Sequence, residues 1–299
     1  MNDIQSSTQP SLRQLKLLRL NDPACQDPAL VGSKTATLAR LYHVLPGAIP
    51  SGVAVPVHHA NLFMHITGES YAEAAQALLA ALGEPDPTTR QYAVRSSALD
   101  EDSASHSFAG QYETALGLVT AHDIIDAIGA CVRSATSARV AAYRRVAAQA
   151  PGGSMAVLIQ EMVPADRAGV AFTVNPLNGE NEVVINATFG LGDLLVSGEI
   201  TPDEIIVESS GRVSRRTIGS KQMMSISTRN GIIHTPVPES LQRTSCLSDI
   251  QIRSIVMAAQ KCQEGLGHPI DMEWALSGRM LFVLQARPIT AISTGAKLT

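Results

Sequence analysis

The unequal distribution of helix and strand patterns on either side of Pro151-Gly152-Gly153 constrains the fold most. Before this segment, apolar residues recur at helical spacing, as at Leu38, Leu41 and Leu45. After it, short runs of apolar and β-branched residues are separated by short turns, which is typical of strands. This segregation predicts an α+β fold in layers rather than a doubly wound sheet, with two lobes and a substrate cleft between them. The first predicted helix starts at Gly32-Ser33 and stops at Pro46-Gly47, others cover 71–82 and 248–265, and 122–148 is interpreted as one or two long helices. The predicted strands cover 53–57, 92–95, 156–162, 169–174, 182–187, 203–208 and 212–218.

We expect the helix-rich first lobe at about 12–150 and the strand-rich second lobe at about 151–299. Residues 1–11 are mostly polar and are predicted to form a disordered tail. The net charge of −4 and the pI near 6.1 give no electrostatic reason to bind nucleic acid or an anionic membrane surface. The four cysteines are far apart and no secretory signal precedes them, which favours a cytoplasmic protein with reduced thiols.

The last strand pair, Asp271 to Trp274 and Leu284 to Pro288, places chemically useful side chains together. Alternate residues of a strand share a face, so Asp271 and Glu273 point one way, as do Gln285 and Arg287 on the next strand. The segment Leu276-Ser277-Gly278-Arg279 reads as the turn between them. Carboxylate and amide oxygens with a guanidinium suit Mg2+ and phosphate. An ordinary charged surface hairpin is the alternative.

Two further elements are candidates for phosphate contact. Gly32-Ser33-Lys34 stands at a predicted helix start, where free N–H groups favour an anion. Taken alone, the motif is better explained as a capped helix with a solvated lysine, and it lacks the Walker A pattern. Arg95-Ser96-Ser97 ends a strand before the polar segment 96–107, which we expect to be a mobile loop. This segment closes with Ala109-Gly110, and it is interpreted either as a phosphate lid or as an ordinary surface loop.

Together these elements resemble the N-terminal nucleotide-binding domain of phosphoenolpyruvate synthase, pyruvate phosphate dikinase and rifampicin phosphotransferase. The resemblance covers nearly the whole chain in order. It is carried by 31–38, 93–98, 101–102, 107–110, 160–163, 169–176, 190–192, 198–204, Gly219-Ser220-Lys221, 271–274 and 285–288.

The resemblance implies an ATP-grasp fold that holds ATP between two lobes, with Mg2+ as cofactor. The residues matching Lys34 and Arg95 contact phosphates, those matching Gly110 and Thr114 close over them, and the strand matching 160–163 lines the adenine pocket. The implied ATP-binding set is Lys34, Arg95, Gly110, Thr114, Gln160, Glu161, Val163, Glu273, Gln285 and Arg287. Within it Lys34, Arg95 and Arg287 are the catalytic residues, and Glu273 and Gln285 are the metal ligands.

The chain departs from the family pattern at a few positions. Ser33 and Thr35 stand where glycine is common, and the lid tip reads Ala104-Ser105-His106. His106 is interpreted as a solvated loop histidine, with a proton donor or phosphoryl acceptor as the alternative. Asn186 replaces a frequent acidic residue.

Family enzymes continue into a swivelling domain with a phosphoryl-carrying histidine, and none of the eight histidines of this chain has that context. The resemblance therefore implies a phosphotransferase component that passes a phosphoryl group from ATP to a histidine carrier on another chain, with AMP and phosphate as products. One alternative is a stand-alone ATP-grasp kinase or ligase acting on a small molecule. The other is a regulatory subunit that binds ATP without turnover.

Overall fold

The computed structural model describes residues 15–82, 90–98, 114–143 and 155–289. The predicted tail at 1–11, most of the predicted loop at 96–107, Gly110 and His106 lie outside these residues. Within the described part of the chain, no helix combines the length and the apolar character needed to cross a membrane. The described elements form two antiparallel sheets, one separate hairpin and the helices that cover them.

The first sheet has five strands in the order β1-β2-β5-β3-β4. Its strands are β1 (Leu18–Arg19), β2 (Gly52–Val55), β3 (Tyr92–Ala98), β4 (Thr114–Leu118) and β5 (Met155–Glu161). The position of β5, hydrogen-bonded between β2 and β3, corrects the division at residue 150. This strand lies beyond Pro151-Gly152-Gly153 in sequence but belongs to the first sheet.

The first sheet has one apolar face and one mixed face because its strand residues alternate. Val94, Val157 and Ile159 face α3 (Gly68–Leu82) and α4 (Ala121–Tyr143) in a common core. The alternate residues include Arg95 and Gln160, on the opposite side. The remaining first-lobe elements are α1 (Pro28–Val44), α2 (Val57–Ala60) and two 3-10 helices at Pro23–Gln26 and Asn61–His65.

The second sheet has six strands in the order β13-β12-β6-β7-β8-β9. Trp274 on β12 is fully buried under this sheet. Gly169 on β6 leaves space for the Trp274 indole ring, since a Cβ at Gly169 would lie 2.8 Å from that ring. The sheet is formed by β6 (Arg167–Phe172), β7 (Glu182–Phe189), β8 (Asp203–Glu208), β9 (Val213–Thr217), β12 (Ile270–Ser277) and β13 (Met280–Pro288).

Helix α7 (Asp249–Leu266) covers the apolar face of the second sheet. Ser248 and Gln251 form a capping box at its start, and Gly267 ends it in the left-handed conformation at φ 79°. Helix α1 shares this core, with Leu38 and Leu41 buried beside Ile255. The two lobes are thus joined by helix packing below the cleft. Two short helices, α5 (Asp193–Val196) and α6 (Glu239–Gln242), complete the lobe.

The predicted α+β class with two lobes is confirmed. The predicted strand 203–208 has the observed bounds, and the other predicted elements differ at their compared ends by a few residues, apart from α1. Residues 144–148 of the predicted helical segment 122–148 lie outside the described residues. Helix α1 begins at Pro28 after the Asp27 cap, before the predicted start at Gly32-Ser33, where the helix is instead broken. A hairpin of β10 (Met223–Thr228) and β11 (Gly231–Pro236), which belongs to neither sheet, was not predicted.

Candidate functional site

Helix α1 is broken at Gly32, which lies against the end of β3. Gly32 has φ 75°, and a Cβ there would lie 2.0 Å from the Ser97 carbonyl oxygen, so only glycine fits. The Thr35 backbone N–H donates to Ser97 Oγ over 3.2 Å. The break starts a new helical segment at Ser33 and brings Lys34, which is half-buried, to the strand end that carries Arg95. One N–H group of this helix start is therefore bonded to Ser97.

Arg95 joins the two lobes. Its Nη1 donates to Glu273 Oε2 and to Gln285 Oε1, each over 3.3 Å, so one guanidinium of the first sheet contacts both predicted metal ligands of the second. The Nε of Arg95 is buried without a hydrogen-bond partner. The structure therefore brings these three predicted site residues together.

Thr114 lies beside this contact. It pairs directly with Arg95 across β3 and β4, and paired residues of neighbouring strands share a face. Thr114 is exposed at the first position of β4. It therefore faces the same cleft as Arg95. Gly110, the other predicted lid residue, lies outside the described residues.

The last two strands carry the polar group that the alternation predicted. In the register of β12 and β13, Asp271 is opposite Arg287 and Glu273 is opposite Gln285, and the turn residues between the strands are Gly278 and Arg279. Arg287 donates to Asp271 Oδ2 from Nε over 2.8 Å and from Nη2 over 2.7 Å. Four polar side chains thus form one block on the cleft face.

Asp271 is part of the predicted hairpin, but the sequence assigns it no role. Its environment in the structure is unusual. The residue is only 7% exposed, and its Oδ1 has no hydrogen-bond partner. Burial raises the pKa of this carboxyl, while the Arg287 guanidinium acts in the opposite direction. A buried carboxylate oxygen without a hydrogen-bond partner, next to the predicted metal ligands Glu273 and Gln285, is suited to bind a further cation or a water molecule. The sequence signal for a role of Asp271 in the site is its position two residues before Glu273, on the same face of the strand.

The cleft face changes from polar to apolar along β12. Ala275, two residues beyond Glu273, packs with Val163 and Ala168, and the half-buried side chains of Phe282 and Leu284 join them. At roughly 3.3 Å per residue, Asp271 and Ala275 are about 13 Å apart. The second sheet therefore offers charged groups at one end of the cleft and an apolar surface at the other.

Gln160 and Glu161 have different surroundings although both were predicted to bind ATP. Gln160 is 2% exposed on the same face of the first sheet as Arg95, and its Nε2 has no hydrogen-bond partner. Glu161 lies on the opposite face, paired with Tyr92 and 3.8 Å from Arg90. The structure brings Gln160 to the cleft but not the Glu161 carboxylate, because neighbouring strand residues point to opposite faces.

Lys221 of the Gly219-Ser220-Lys221 motif lies outside the cleft. It forms an ion pair with Asp203, and both side chains are fully buried. Asp203 also accepts from the backbone N–H groups of Gly219, over 2.9 Å, and Cys246, over 2.8 Å. This motif therefore stabilises the second lobe rather than presenting a cation to a ligand.

Among the described residues, no group of three or more His, Cys, Asp and Glu side chains is arranged to hold a metal ion. Mg2+ is commonly held by one or two carboxylates together with substrate phosphates rather than by a complete protein cage. The Glu273 and Gln285 pair has the oxygen donors for that mode of binding, and the second Asp271 oxygen lies on the same sheet face.

The family model described as "Pyruvate phosphate dikinase, AMP/ATP-binding domain" matches residues 69–298. The chain is 31% identical over 286 residues to an uncharacterised phosphotransferase, YvkC, of Bacillus subtilis, covering 90% of this chain and 34% of the relative. It is 35% identical over 229 residues to a probable phosphoenolpyruvate synthase of Methanothermobacter thermautotrophicus, covering 76% and 33%. It is 37% identical over 201 residues to the prodigiosin synthesizing transferase PigC of Serratia marcescens, covering 66% and 22%.

The chain spans about a third of the length of the first two of these relatives. The match confirms the family resemblance that the motifs predicted.

Proposed function

Because the chain belongs to the pyruvate phosphate dikinase AMP/ATP-binding domain family, we propose that it is an Mg-ATP-dependent phosphotransferase component. It passes a phosphoryl group from ATP to a histidine carrier on another chain, with AMP and phosphate as products. The observation that carries the proposal is the contact of Arg95, on the first sheet, with Glu273 and Gln285 on the second. This contact places a cation and two oxygen donors at the junction of the lobes.

The polarity of the cleft supports one orientation of ATP. The triphosphate lies toward Arg95, Glu273, Gln285 and Arg287, and the base lies toward the apolar cluster around Val163. Gln160, whose amide nitrogen has no partner, supplies a hydrogen-bond donor on the facing sheet. The distance of about 13 Å between the charged and apolar ends suits an extended nucleoside triphosphate.

Glu273 and Gln285 would hold Mg2+ through their carboxylate and amide oxygens. Bound there, the metal supplies charge neutralisation at the phosphate oxygens. The unpartnered Asp271 Oδ1 fits this assignment, because a buried carboxylate oxygen without a hydrogen bond gains from a nearby cation or its water.

The cationic residues provide positioning and electrostatic stabilisation, which are the main protein contributions to phosphoryl transfer. Asp271 holds Arg287 by two hydrogen bonds, so the guanidinium is oriented before a phosphate arrives. Lys34, at the helix break, and Arg95, between the lobes, add charge from the first lobe. In this proposal Lys34, Arg95 and Arg287 are the catalytic residues.

A second candidate is a stand-alone enzyme that transfers directly to a small molecule. The similarity to the transferase PigC, whose name places it in prodigiosin synthesis, favours this candidate. The two functions share the ATP site and differ in acceptor and nucleotide product.

The experiment that tests the proposal is to incubate the purified protein with Mg-ATP and an extract of its source organism, and to identify the nucleotide product. The Glu273→Ala variant serves as the control for ATPases of the extract. Protein-dependent AMP and phosphate support the carrier mechanism, whereas ADP supports direct transfer. No product above the Glu273→Ala background, with ATP binding retained, would contradict both and favour a regulatory subunit.

A further inference from the structure

The hairpin of β10 and β11 is anchored in the second lobe. Its first strand begins at Met223, two residues after Lys221, which is held in the buried pair with Asp203. Within the hairpin, Ser225 Oγ donates to Asp193 Oδ2 over 2.7 Å, and the Leu191 N–H donates to the Ser225 carbonyl over 2.8 Å. These bonds fix the base of the hairpin to the second lobe.

The tip of the hairpin contacts the first lobe. Ser227 Oγ donates to Gln91 Oε1, and Gln91 Nε2 donates to the Thr228 carbonyl. The tip also packs against Gly117 on β4, where an added Cβ would lie 3.1 Å from Gly231 Cα. Gly117 has φ 75°, so glycine is required there by conformation as well as by space. The hairpin therefore spans the two lobes.

Gln91 connects this hairpin to the segment that passes from the first sheet to the second. The Met162 N–H donates to the Gln91 carbonyl over 2.7 Å, and the Gly117 N–H donates to Met162 Sδ over 3.0 Å. Met162 stands between Gln160, which faces the cleft, and Val163, which belongs to the apolar cluster. Gln91 is only 9% exposed. Its backbone carbonyl thus accepts a hydrogen bond from Met162 of this segment, and both polar groups of its side-chain amide bond to the hairpin.

We propose that Gln91 is a positioning residue for the nucleotide base. This inference rests on the proposed function, in which the base lies at Gln160 and Val163. The anchored hairpin holds the Gln91 side chain, and the Gln91 main chain holds Met162. The base-binding residues on either side of Met162 thereby keep a fixed position without contact between Gln91 and the ligand.

This arrangement predicts a selective effect on binding. Loss of the Gln91 side-chain bonds loosens the base end of the cleft, whereas the phosphate end is built on β12, β13 and Arg95 by other contacts. Affinity for ATP falls, and affinity for inorganic tripolyphosphate, which has the phosphates but no base, does not. A hairpin that only braces the fold would affect both ligands equally.

The test is isothermal titration calorimetry with Mg2+ and either ATP or tripolyphosphate. Gln91→Met preserves length without the amide, and Ser227→Ala removes one of the two bonds from the other lobe. The matched control is Ser214→Ala, whose hydroxyl donates to the Ile206 carbonyl within the second lobe. We expect Gln91→Met to weaken ATP binding about tenfold and Ser227→Ala to weaken it by less, with tripolyphosphate and the control unchanged.

Equal loss of affinity for both ligands, or ATP affinity unchanged in Gln91→Met and Ser227→Ala, would overturn the positioning role without contradicting the proposed function. If Gln91→Met does not fold, as judged by circular dichroism, Ser227→Ala decides the question alone. Wild-type protein that binds tripolyphosphate as tightly as ATP would overturn base recognition but not phosphate binding. Wild-type protein that binds neither would overturn the proposed function itself.

Discussion

Two of the carboxylate–cation pairs in the second sheet and its connections have opposite properties. In the pair of Asp203 and Lys221 both side chains are fully buried, and each carboxylate oxygen has a partner. In the pair of Asp271 and Arg287 the arginine side chain is 40% exposed, and the buried Asp271 Oδ1 has no hydrogen bond. We call the buried pair of Asp203 and Lys221 the closed pair. We call the pair of Asp271 and Arg287, which faces the cleft, the open pair.

The difference distinguishes a structural ion pair from a ligand site. A buried pair whose hydrogen bonds are complete stabilises a single packing, and it offers nothing to a ligand. A pair with an exposed guanidinium and an unpartnered oxygen still has capacity for a phosphate and a cation. Substitutions in the two pairs should therefore have different consequences.

The largest effect is expected on breaking the closed pair. Asp203→Ala leaves Lys221 buried without its counter-charge and should lower the unfolding free energy by about 3–5 kcal/mol. Urea denaturation measures this change. The control is Asp249→Ala at the exposed pair with Arg216, for which at most about 1 kcal/mol is expected. An equal effect of the two substitutions would show that burial of the Asp203 pair has no structural importance.

A comparable effect, on turnover instead of stability, is expected at the open pair. Arg287→Ala should lower ATP-dependent product formation by about 10²–10³-fold, because it removes an oriented positive charge from the reacting phosphate. Rates are compared by quantifying the released nucleotide. Arg216→Ala, at the surface pair with Asp249, should retain the wild-type rate. Turnover that survives Arg287→Ala would remove this residue from the mechanism.

A smaller effect is expected at the helix break. Lys34→Ala should weaken ATP affinity by about tenfold or more, since a hydrogen bond to a charged group contributes about 1.5–3 kcal/mol. Calorimetric titration compares it with Lys261→Ala, an exposed lysine of α7. If both variants bind ATP like the wild type, the proposed phosphate contact of Lys34 is wrong.

The smallest effect concerns pH. Burial raises the pKa of Asp271 above its usual value of 3.8, so the folded state keeps a proton at pH values where the unfolded chain has lost it. The unfolding free energy should therefore fall as the pH rises from about 3.8 to the raised pKa. Asp271→Asn should flatten this part of the profile, as measured by urea denaturation at several pH values. A wild-type slope in Asp271→Asn would contradict the assignment.

Much of the open pair was predictable from sequence. The alternation of Asp271, Glu273, Gln285 and Arg287 determines their common face once the two strands are paired, and the short turn makes that pairing local. The contact of Arg95 with this group depends on how the two sheets meet, and only the family resemblance indicated it.

The elements that were not predicted depend on long-range packing. The hairpin at 223–236 alternates apolar and polar residues only over 224–227, and it is held by Gln91 and Gly117, far away in sequence, although Asn230-Gly231 is a typical hairpin signal. The strand β5 was recognised, but its place in the first sheet depends on pairing with β2 and β3. The orientation of Glu161 away from the cleft follows from that pairing.

The most direct test of the account is a crystal structure of the protein with Mg2+ and a non-hydrolysable ATP analogue. We expect the metal at about 2.0–2.1 Å from oxygens of Glu273 and Gln285, the terminal phosphates beside Arg287, and the base against the cluster of Val163, Ala275 and Phe282. A nucleotide bound outside this cleft, or one bound in it with the base at the Arg287 end, would contradict the central claim.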